Sequence, residues 1–515
     1  MMPDRRVYLA SILVGVATAL DALRSLQEVG FHYLDEDVAI YWYAAQEFAH
    51  FRFREPFFYG QTYNQLGESL LACPLVGVGV PPWIALPAIS MAVGLAPWVI
   101  LTRIAFRRSA WGLGLALLGA PLVMPVGYQI LLSRFFGIGI LLVSSGLLVA
   151  DSSRGTYRWF VAGLLFGLGS LAIYNAVLLA AVVIAWLATT SLRGARAWAA
   201  LVGGLATATS LWGLGQLFYV LNPGWVVHGA VSLEFRPALI LEGLQNLPRH
   251  LGRVTPSVFL HPAVLLIVVL LVILAAAWRR QWSVLAPAGA VVAGVIGILM
   301  FAGAYNSSPS VFYAYERMFL GLPPALGVVA LAGASAKLWP GGTSTRGVLL
   351  CAVSVLALAI PKELVLKERA SLEFWMPQDR LMQSDVENVR RTCASVEGDA
   401  RRSDTDLAIF SNRTYAYACG ALAYGRLTTL FPPYERRTWL LTEEKSRVRD
   451  RVILAGVQEQ ATCNWIAQRV PGSTCRIGEE GNVAVRFSSS SVIDFAELIG
   501  LEVRKFPGAS PHAAR

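Results

Sequence analysis

Residues 7–26 read VYLASILVGVATALDALRSL (Val7–Leu26), and shortly after them comes the run Leu34-Asp35-Glu36-Asp37-Val38. The first stretch is long enough to cross a bilayer, which takes roughly 20 apolar residues. The second places three consecutive carboxylates just beyond it. Ionised carboxylates so close to a membrane are costly unless they are solvated, paired or used. The rest of the chain decides which.

The chain has 515 residues, of which 55% are hydrophobic and only 15% charged. A soluble domain carries about a quarter charged residues, so this is the composition of an integral membrane protein. Candidate spans are Val7–Leu26, Trp83–Ile104, Ala110–Gly127, Phe135–Ala150, Trp159–Tyr174, Asn175–Thr190, Trp198–Leu221, Pro262–Trp278, Ser283–Ala304, Met318–Ala336 and Gly347–Ile360. The first lacks a small-residue cleavage pattern and has further spans behind it, so it reads as a retained anchor rather than a signal peptide. The fold class expected is mainly α: a polytopic membrane helix bundle of about 11 spans, with a first outer loop of interfacial helices and a small C-terminal extracytoplasmic α/β domain. Residues 1–360 form the transmembrane part, 27–82 the first outer loop and 361–515 the soluble part.

Short loops orient the bundle. Arg5, Arg6, Arg103, Arg107, Arg108, Arg154, Arg158, Arg193, Arg196, Arg279, Arg280, Lys337 and Arg346 fall on one side if the spans hold, in loops almost free of acids. That is the cytoplasmic signature. The carboxylate loop, the loops near Arg134, Arg236 and Arg317, and everything after Ile360 then lie outside, which implies a multi-pass membrane protein with an extracytoplasmic C-terminal domain. The net charge of +10 is mostly this bias and implies no nucleic acid.

Cysteine usage agrees with that placement. Cys73 and Cys351 sit in apolar surroundings, whereas Cys393, Cys419, Cys463 and Cys475 lie in the polar C-terminal part, where disulfides persist. Four cysteines permit three pairings; the short Cys463–Cys475 loop is preferred, with Cys393–Cys419 as its complement. No pair has zinc-knuckle spacing.

Within the outer loop, Ala39–Phe51 carries Ile40, Tyr41, Trp42, Ala45, Phe48 and Ala49 at helical spacing, with Gln46, Glu47 and His50 opposite. This predicts a helix lying in the membrane interface. Tyr63–Val76 predicts a short helix or half-span, ended by Pro81-Pro82. Among the spans, Gly163, Gly167 and Gly169 allow close helix approach. In the C-terminal part, Leu407–Phe410 and Arg451–Ala455 read as short buried strands. Gln383–Ala394 and Cys463–Arg469 read as helices, and Asn482–Ser488 as a late strand. The sequons at Asn306 and Asn412 are assigned nothing.

Asp35-Glu36-Asp37, taken alone, reads as a helix-capping turn, because Asp suits a helix start and carboxylates complement the helix dipole. Its company points further. Leu34-Asp35-Glu36-Asp37-Val38-Ala39, followed by Glu55-Pro56-Phe57-Phe58-Tyr59-Gly60-Gln61-Thr62-Tyr63-Asn64-Gln65-Leu66-Gly67-Glu68, resembles the first outer loop of the type C (GT-C) membrane glycosyltransferases. The branch it looks most like is the bacterial one grouped with protein O-mannosyltransferases and the lipid A aminoarabinose transferase. There an acidic pair follows the first span and a Phe-Phe-Tyr-Gly-Gln-x-Tyr-x-x-x-x-Glu stretch comes after it. Tyr315-Glu316-Arg317-Met318-Phe319-Leu320-Gly321-Leu322-Pro323-Pro324 is similar to a run at the start of a late span in that family. The chain departs from the pattern in its third acid, Asp37.

The resemblance implies a hexosyl- or pentosyltransferase that moves a sugar, with inversion, from a polyprenyl-phosphate-linked donor to a lipid, glycan or protein acceptor of the cell envelope. Such transfer needs a carboxylate to take the acceptor's proton while the sugar carbon gains oxocarbenium character. By position Asp35 is that base, and Glu36 or Asp37 tunes it or contacts the acceptor, since adjacent carboxylates raise each other's pKa. Glu68 is either a second cavity acid or a carboxylate at a helix rim. Gln61, Tyr59 and Tyr63 are candidates for sugar hydroxyls or interfacial belt residues, with function favoured for Gln61. A lipid-phosphate leaving group calls for outer-face cations, and arginine's fork suits phosphate. The candidates are Arg134, Arg236, Arg249, His250, Arg253 and Arg317, with Arg317 first and Arg134 second. No cofactor or metal ligand is assigned, and a divalent metal is left open. A flippase or transporter predicts midplane charges and two similar halves, neither of which is visible. A polymerase or ligase of lipid-linked glycans would use basic residues in a large late loop such as Asn222–His261, and a scaffold without a base is the non-catalytic alternative.

Overall fold

The computed structural model describes residues 5–152, 155–227, 233–235, 240–252, 254–256, 263–303, 318–338, 345–365, 386–478 and 481–501. By its internal contacts the chain divides into two compact units. The first comprises residues 1–30, 87–213 and 231–375; the second comprises 31–86, 214–230 and 376–515.

The first unit is helical. Its elements are α1 (Arg5–Ser25), most of α4 (Pro82–Arg107), α5 (Trp111–Val123), α6 (Val126–Leu132), α7 (Ile138–Ser152), α8 (Tyr157–Ala172), α9 (Val177–Thr190), most of α10 (Ala195–Leu221), α11 (Ile240–Gly252), α12 (Ala263–Trp278), α13 (Trp282–Met300), α14 (Leu322–Ser335) and α15 (Thr345–Val365). A short β1–β2 pair (Leu233–Phe235 with Phe301–Gly303) joins them. Each apolar stretch read as a span contains a helix. Among the described residues, four helical stretches, Arg5–Gly30, Pro82–Arg107, Ala195–Leu221 and Trp282–Met300, are long and apolar enough to cross a membrane, and the other apolar helices are shorter. The chain is a multi-pass membrane protein.

The sequence explains the packing of this unit. Val7, Ala10 and Val14 of α1 form one cluster with Leu115 and Leu122 of α5 and Val348, Ala352 and Val355 of α15. The opposite face of α1 leaves Tyr8, Leu13 and Leu20 at least 60% exposed, apolar surface suited to lipid rather than water. Small residues set how closely helices meet. A Cβ on Gly163 would overlap the Leu201 carbonyl, and one on Gly169 would lie 2.6 Å from the Gly139 carbonyl. The helix termini carry a pattern of their own. Arg108 pairs with Asp151 at 2.6 Å and donates to Ser335, while Arg279 and Gln281 donate to the carbonyls of Leu338 and Ala336. The basic loops after α4, α12 and α14 therefore gather at one end of this unit.

In the second unit, α2 (Glu36–Ala49) and α3 (Gly67–Gly77) of the first loop pack on each other. The C-terminal residues form a five-stranded sheet in the order β4-β3-β5-β7-β6. The strands are β3 (Leu407–Phe410), β4 (Thr428–Leu430), β5 (Val448–Ala455), β6 (Thr474–Ile477) and β7 (Val483–Ser491). β3 runs parallel to β4 and β5, with Ala408 opposite Ile453; β7 is antiparallel to β5 and β6. β3 is buried along its whole length, as expected for a parallel strand flanked on both sides. The helices are α16 (Val386–Arg402), α17 (Arg413–Leu422), α18 (Thr438–Ser446), α19 (Glu459–Arg469) and α20 (Val492–Leu498). Cys393 is bonded to Cys419, tying α16 to α17, and Cys463 to Cys475, tying α19 to β6. This is the pairing preferred from the sequence.

Candidate active site

The acidic turn begins as a helix cap. Asp35 is the N-cap of α2 in extended conformation, and its Oδ1 accepts the Val38 N–H at 2.8 Å. Oδ2 accepts the Tyr33 hydroxyl at 2.7 Å. The capping interpretation of Asp35 is thus realised, and Glu36 and Asp37 add negative charge in the first turn, where the helix dipole favours it.

Glu36 and Asp37 do more than that, because arginines from the C-terminal residues close on them. Arg436 Nε lies 2.8 Å from Glu36 Oε1 and its Nη1 lies 2.9 Å from Asp37 Oδ1. Arg413 Nε lies 2.7 Å from Glu36 Oε2. Arg413 opens α17, whose cap is Asn412, accepting the N–H groups of Thr414 and Tyr415. Burial pushes the Glu36 carboxyl up to about 7; Arg436 opposes the rise, Asp37 reinforces it, Arg413 opposes it and Asp35 adds to it. A carboxyl whose folded pKa exceeds its unfolded value stabilises the fold below the unfolded value and loses that contribution as pH rises through the folded one. Glu36 is therefore expected to cost stability as pH climbs from about 4.5 to about 7. Thermal unfolding of wild type and Glu36→Gln across that range checks it: the difference between the two should move in the variant's favour with rising pH, and a flat difference contradicts the assignment.

The second half of the motif packs against α2. The Tyr41 ring lies 5.2 Å from that of Phe58, the Tyr41 hydroxyl donates to the Gln65 carbonyl, and the Ser69 hydroxyl donates to the Tyr41 carbonyl at 2.9 Å. The Phe58–Gln61 turn is stapled from within: buried Glu55 accepts the Gly60 N–H at 3.0 Å and the Tyr219 hydroxyl at 2.8 Å, and Gly60 O accepts the Val227 N–H. Gly60 has φ +71°, and a Cβ there would lie 2.6 Å from Val227 and 3.1 Å from the Arg436 carbonyl. Only glycine fits this point, where the Arg436 backbone meets the loop. The Arg436 guanidinium also sits 5.5 Å over the Phe58 ring. One residue thus touches both halves of the motif.

The remaining candidates divide. Tyr59 is fully buried, edge-on to Trp439 at 4.6 Å, and burial pushes its phenol well above the usual range, so it stays a donor. Gln61 is buried, and neither its side-chain oxygen nor the Tyr59 hydroxyl has a hydrogen-bond partner among the described residues. Tyr63 is half-buried. Glu68 is fully buried in the first turn of α3, whose N-cap is Leu66, so it is neither the cap nor an exposed rim carboxylate. Arg134 belongs to the first unit, in the bend after α6. Arg317 lies outside the described residues, as do Arg236 and Arg253.

One expectation needs correcting. α2 is not an amphipathic helix with Glu47 on a wet face. Glu47 is 1% exposed, accepts the Tyr424 hydroxyl and pairs with Arg54 Nε at 2.9 Å. Tyr424, just beyond α17, and Arg54 cover Glu47, so the carboxylate is paired within the protein, as a buried charge must be, while His50 stays exposed. Sequence reading also passed over Glu55, Arg413, Arg436, and the fully buried Glu435–Arg437 pair behind the site. In sequence, Glu435-Arg436-Arg437 is indistinguishable from a solvated charge run; the flanking Pro432-Pro433-Tyr434 turn is the one local hint that it is held in place.

Comparison with solved structures finds a likeness of fold to ArnT from Cupriavidus metallidurans. Its structure bound to undecaprenyl phosphate matches over 92% of this chain and 97% of that one, at 14% identity and a TM-score of 0.50. Its apo structure matches over the same shares at 15% identity and a TM-score of 0.46. At this identity the likeness is one of fold. No protein-family model matches the chain, and no curated protein does.

Proposed function

We propose that the chain is an inverting glycosyltransferase that moves a sugar from a polyprenyl-phosphate donor to a lipid, glycan or protein acceptor at the outer face of the inner membrane. The observation that carries this reading is the acidic turn, capped at Asp35, closed by arginines on Glu36 and Asp37 and packed onto the Phe58–Gln61 stretch. It occurs in a fold shared with a protein solved with undecaprenyl phosphate. In the proposed reaction Asp35 takes the proton of the acceptor's nucleophile as the anomeric carbon parts from the phosphate oxygen and receives the new bond on its opposite face. The Tyr33 hydroxyl and Val38 N–H hold Asp35 in one rotamer. Buried polar atoms without partners are rare and expensive; the Tyr59 hydroxyl and Gln61 oxygen would be satisfied by sugar hydroxyls. Arg134 and Arg317 are the proposed cations for the leaving phosphate. The C-terminal residues are proposed to be periplasmic, so a periplasmic reporter fused after Lys362 should be active.

The test is sugar transfer by the purified protein in liposomes, supplied with polyprenyl-phosphate hexoses and pentoses and an envelope extract as acceptor. Transfer that requires the lipid-phosphate donor is expected. A folded protein that moves no sugar from any such donor contradicts the reading.

A further inference from the structure

We propose that Arg436, supported by Arg413, is a positioning residue of the acidic turn, so that the reactive carboxylates of the first loop are set by C-terminal residues far along the chain. The inference rests on the transferase reading above. Three successive carboxylates repel one another, and in a helix's first turn they would splay toward water. Here one guanidinium spans two of them, at 2.8 and 2.9 Å. Arg436 is only 5% exposed and Glu36 only 11%, so their attraction is little screened. Arg413, 43% exposed, holds the other oxygen of Glu36 more weakly.

Arg436 is itself fixed. Its ring partners are Phe58 at 5.5 Å and Tyr434 at 5.8 Å, and its backbone N–H donates to the Tyr417 hydroxyl at 3.1 Å. Its neighbour Arg437 is fully buried, bonded to Glu435, with its guanidinium 4.6 Å over Tyr43 and 4.9 Å over Tyr417. Tyr43 lies on α2, the helix that the acidic turn opens. A buried anchor on α2 and a clamp on the first turn of α2 are thus consecutive residues of one segment. The charged and titratable groups facing Glu36 are Arg436 and Arg413, Asp35 and Asp37 of its own turn, and the Tyr417 phenol from α17. Losing Arg436 removes the larger of the two cations and leaves the acids to raise one another.

The experiment uses the full-length protein in nanodiscs. Arg436→Gln is expected to lower transfer by about 100-fold near neutral pH, the scale of breaking a buried charge pair. The acidic limb of its pH–rate profile should move upward by about one unit. Arg436→Lys, which keeps the charge without the fork, should recover part of the rate and most of the limb, and it decides the matter if the glutamine variant does not fold. Arg413→Gln should cost less than about tenfold. A wild-type rate in Arg436→Gln overturns the proposal, and so does a lost rate with an unmoved limb. A second readout needs no activity: carbodiimide coupling of an amine to Glu36, followed by peptide mass spectrometry across pH. Labelling in Arg436→Gln should persist to higher pH than in wild type, with the Arg436→Lys curve between the two and nearer wild type, and an Arg436→Gln curve superimposable on wild type overturns the inference. If wild type transfers no sugar, the transferase reading fails while this labelling still decides whether Arg436 sets the turn.

Discussion

Asp35→Asn is expected to lower sugar transfer by about 100- to 10,000-fold, the range supplied by a positioned general base, while leaving the fold nearly as stable as wild type. The separation is possible because the cap and the proposed base are roles that asparagine splits. As a cap, asparagine is as good as aspartate: its side-chain oxygen can accept the Val38 N–H that Asp35 accepts at 2.8 Å. As a proton acceptor, a neutral amide is useless. The Tyr33 hydroxyl, which donates to the second oxygen of Asp35, would face an NH2 group and turn to accept from it or from solvent. Transfer kinetics and thermal unfolding, measured on the same preparation, distinguish the roles. Asp35→Ala should lose the rate as well and in addition lower stability by about 1 kcal/mol for the missing cap. If Asp35→Asn keeps a rate within a few-fold of wild type, the base is elsewhere, and Glu36, the neighbouring buried carboxyl, is the next residue to replace.

How far the molecule could be read from its sequence depended on how local each determinant is. The membrane helices were legible because each is an apolar run whose composition needs no partner to interpret. Leu407–Phe410 and the end of β5 were legible for the same reason: strands buried on both faces are short all-apolar runs. β4 has three residues and β6 is largely exposed, so neither carries a period that could mark it. α17 reads RTYAYACGAL, where small residues and tyrosines blur the polar and apolar faces. The disulfides were legible because four cysteines stand apart in a polar region.

The site was legible only in its first-loop half. Spacing showed that Asp35–Asp37 precedes a helix and that an aromatic stretch follows. It did not show which side of that helix is wet, because burial of Glu47 depends on Tyr424, 377 residues away. Arg436 lies 399 residues from Asp37, and nothing within its own neighbourhood separates it from an exposed arginine. Pairing between distant charges is a tertiary property, and it adds ion pairs with Arg413 and Arg436 to Glu36 and Asp37, which the sequence offered as tuning the proposed base or contacting the acceptor.

The largest loss of stability is expected from Glu435→Ala. Glu435 and Arg437 are both completely buried. Arg437 donates from Nε to Oε1 at 2.8 Å and from Nη2 to Oε2 at 2.9 Å, a two-pronged pair, and gives a further bond to the Thr429 carbonyl at 2.6 Å. Glu435 also accepts the backbone N–H groups of Phe431 and Arg437. Burial works against the Arg437 charge, but the carboxylate outweighs it and holds the guanidinium ionised. Removing Glu435 leaves that cation buried against the Tyr43 and Tyr417 rings and the Thr429 hydroxyl and carbonyl, with no countercharge bonded to it, a change that costs about 3–5 kcal/mol. Replacing both members, Glu435→Leu with Arg437→Met, removes the stranded charge and should return more than half of the loss, because an apolar pair of similar volume often matches a buried ion pair. Thermal unfolding of the full chain in detergent, followed through near-ultraviolet circular dichroism, measures all three proteins. A double variant no more stable than Glu435→Ala would show that shape rather than charge governs the site. Activity should separate them in the opposite sense: the double variant recovers stability, yet it lacks the cation–aromatic seat on Tyr43 that fixes the segment carrying Arg436. Its transfer rate should therefore stay below wild type even where its unfolding temperature does not.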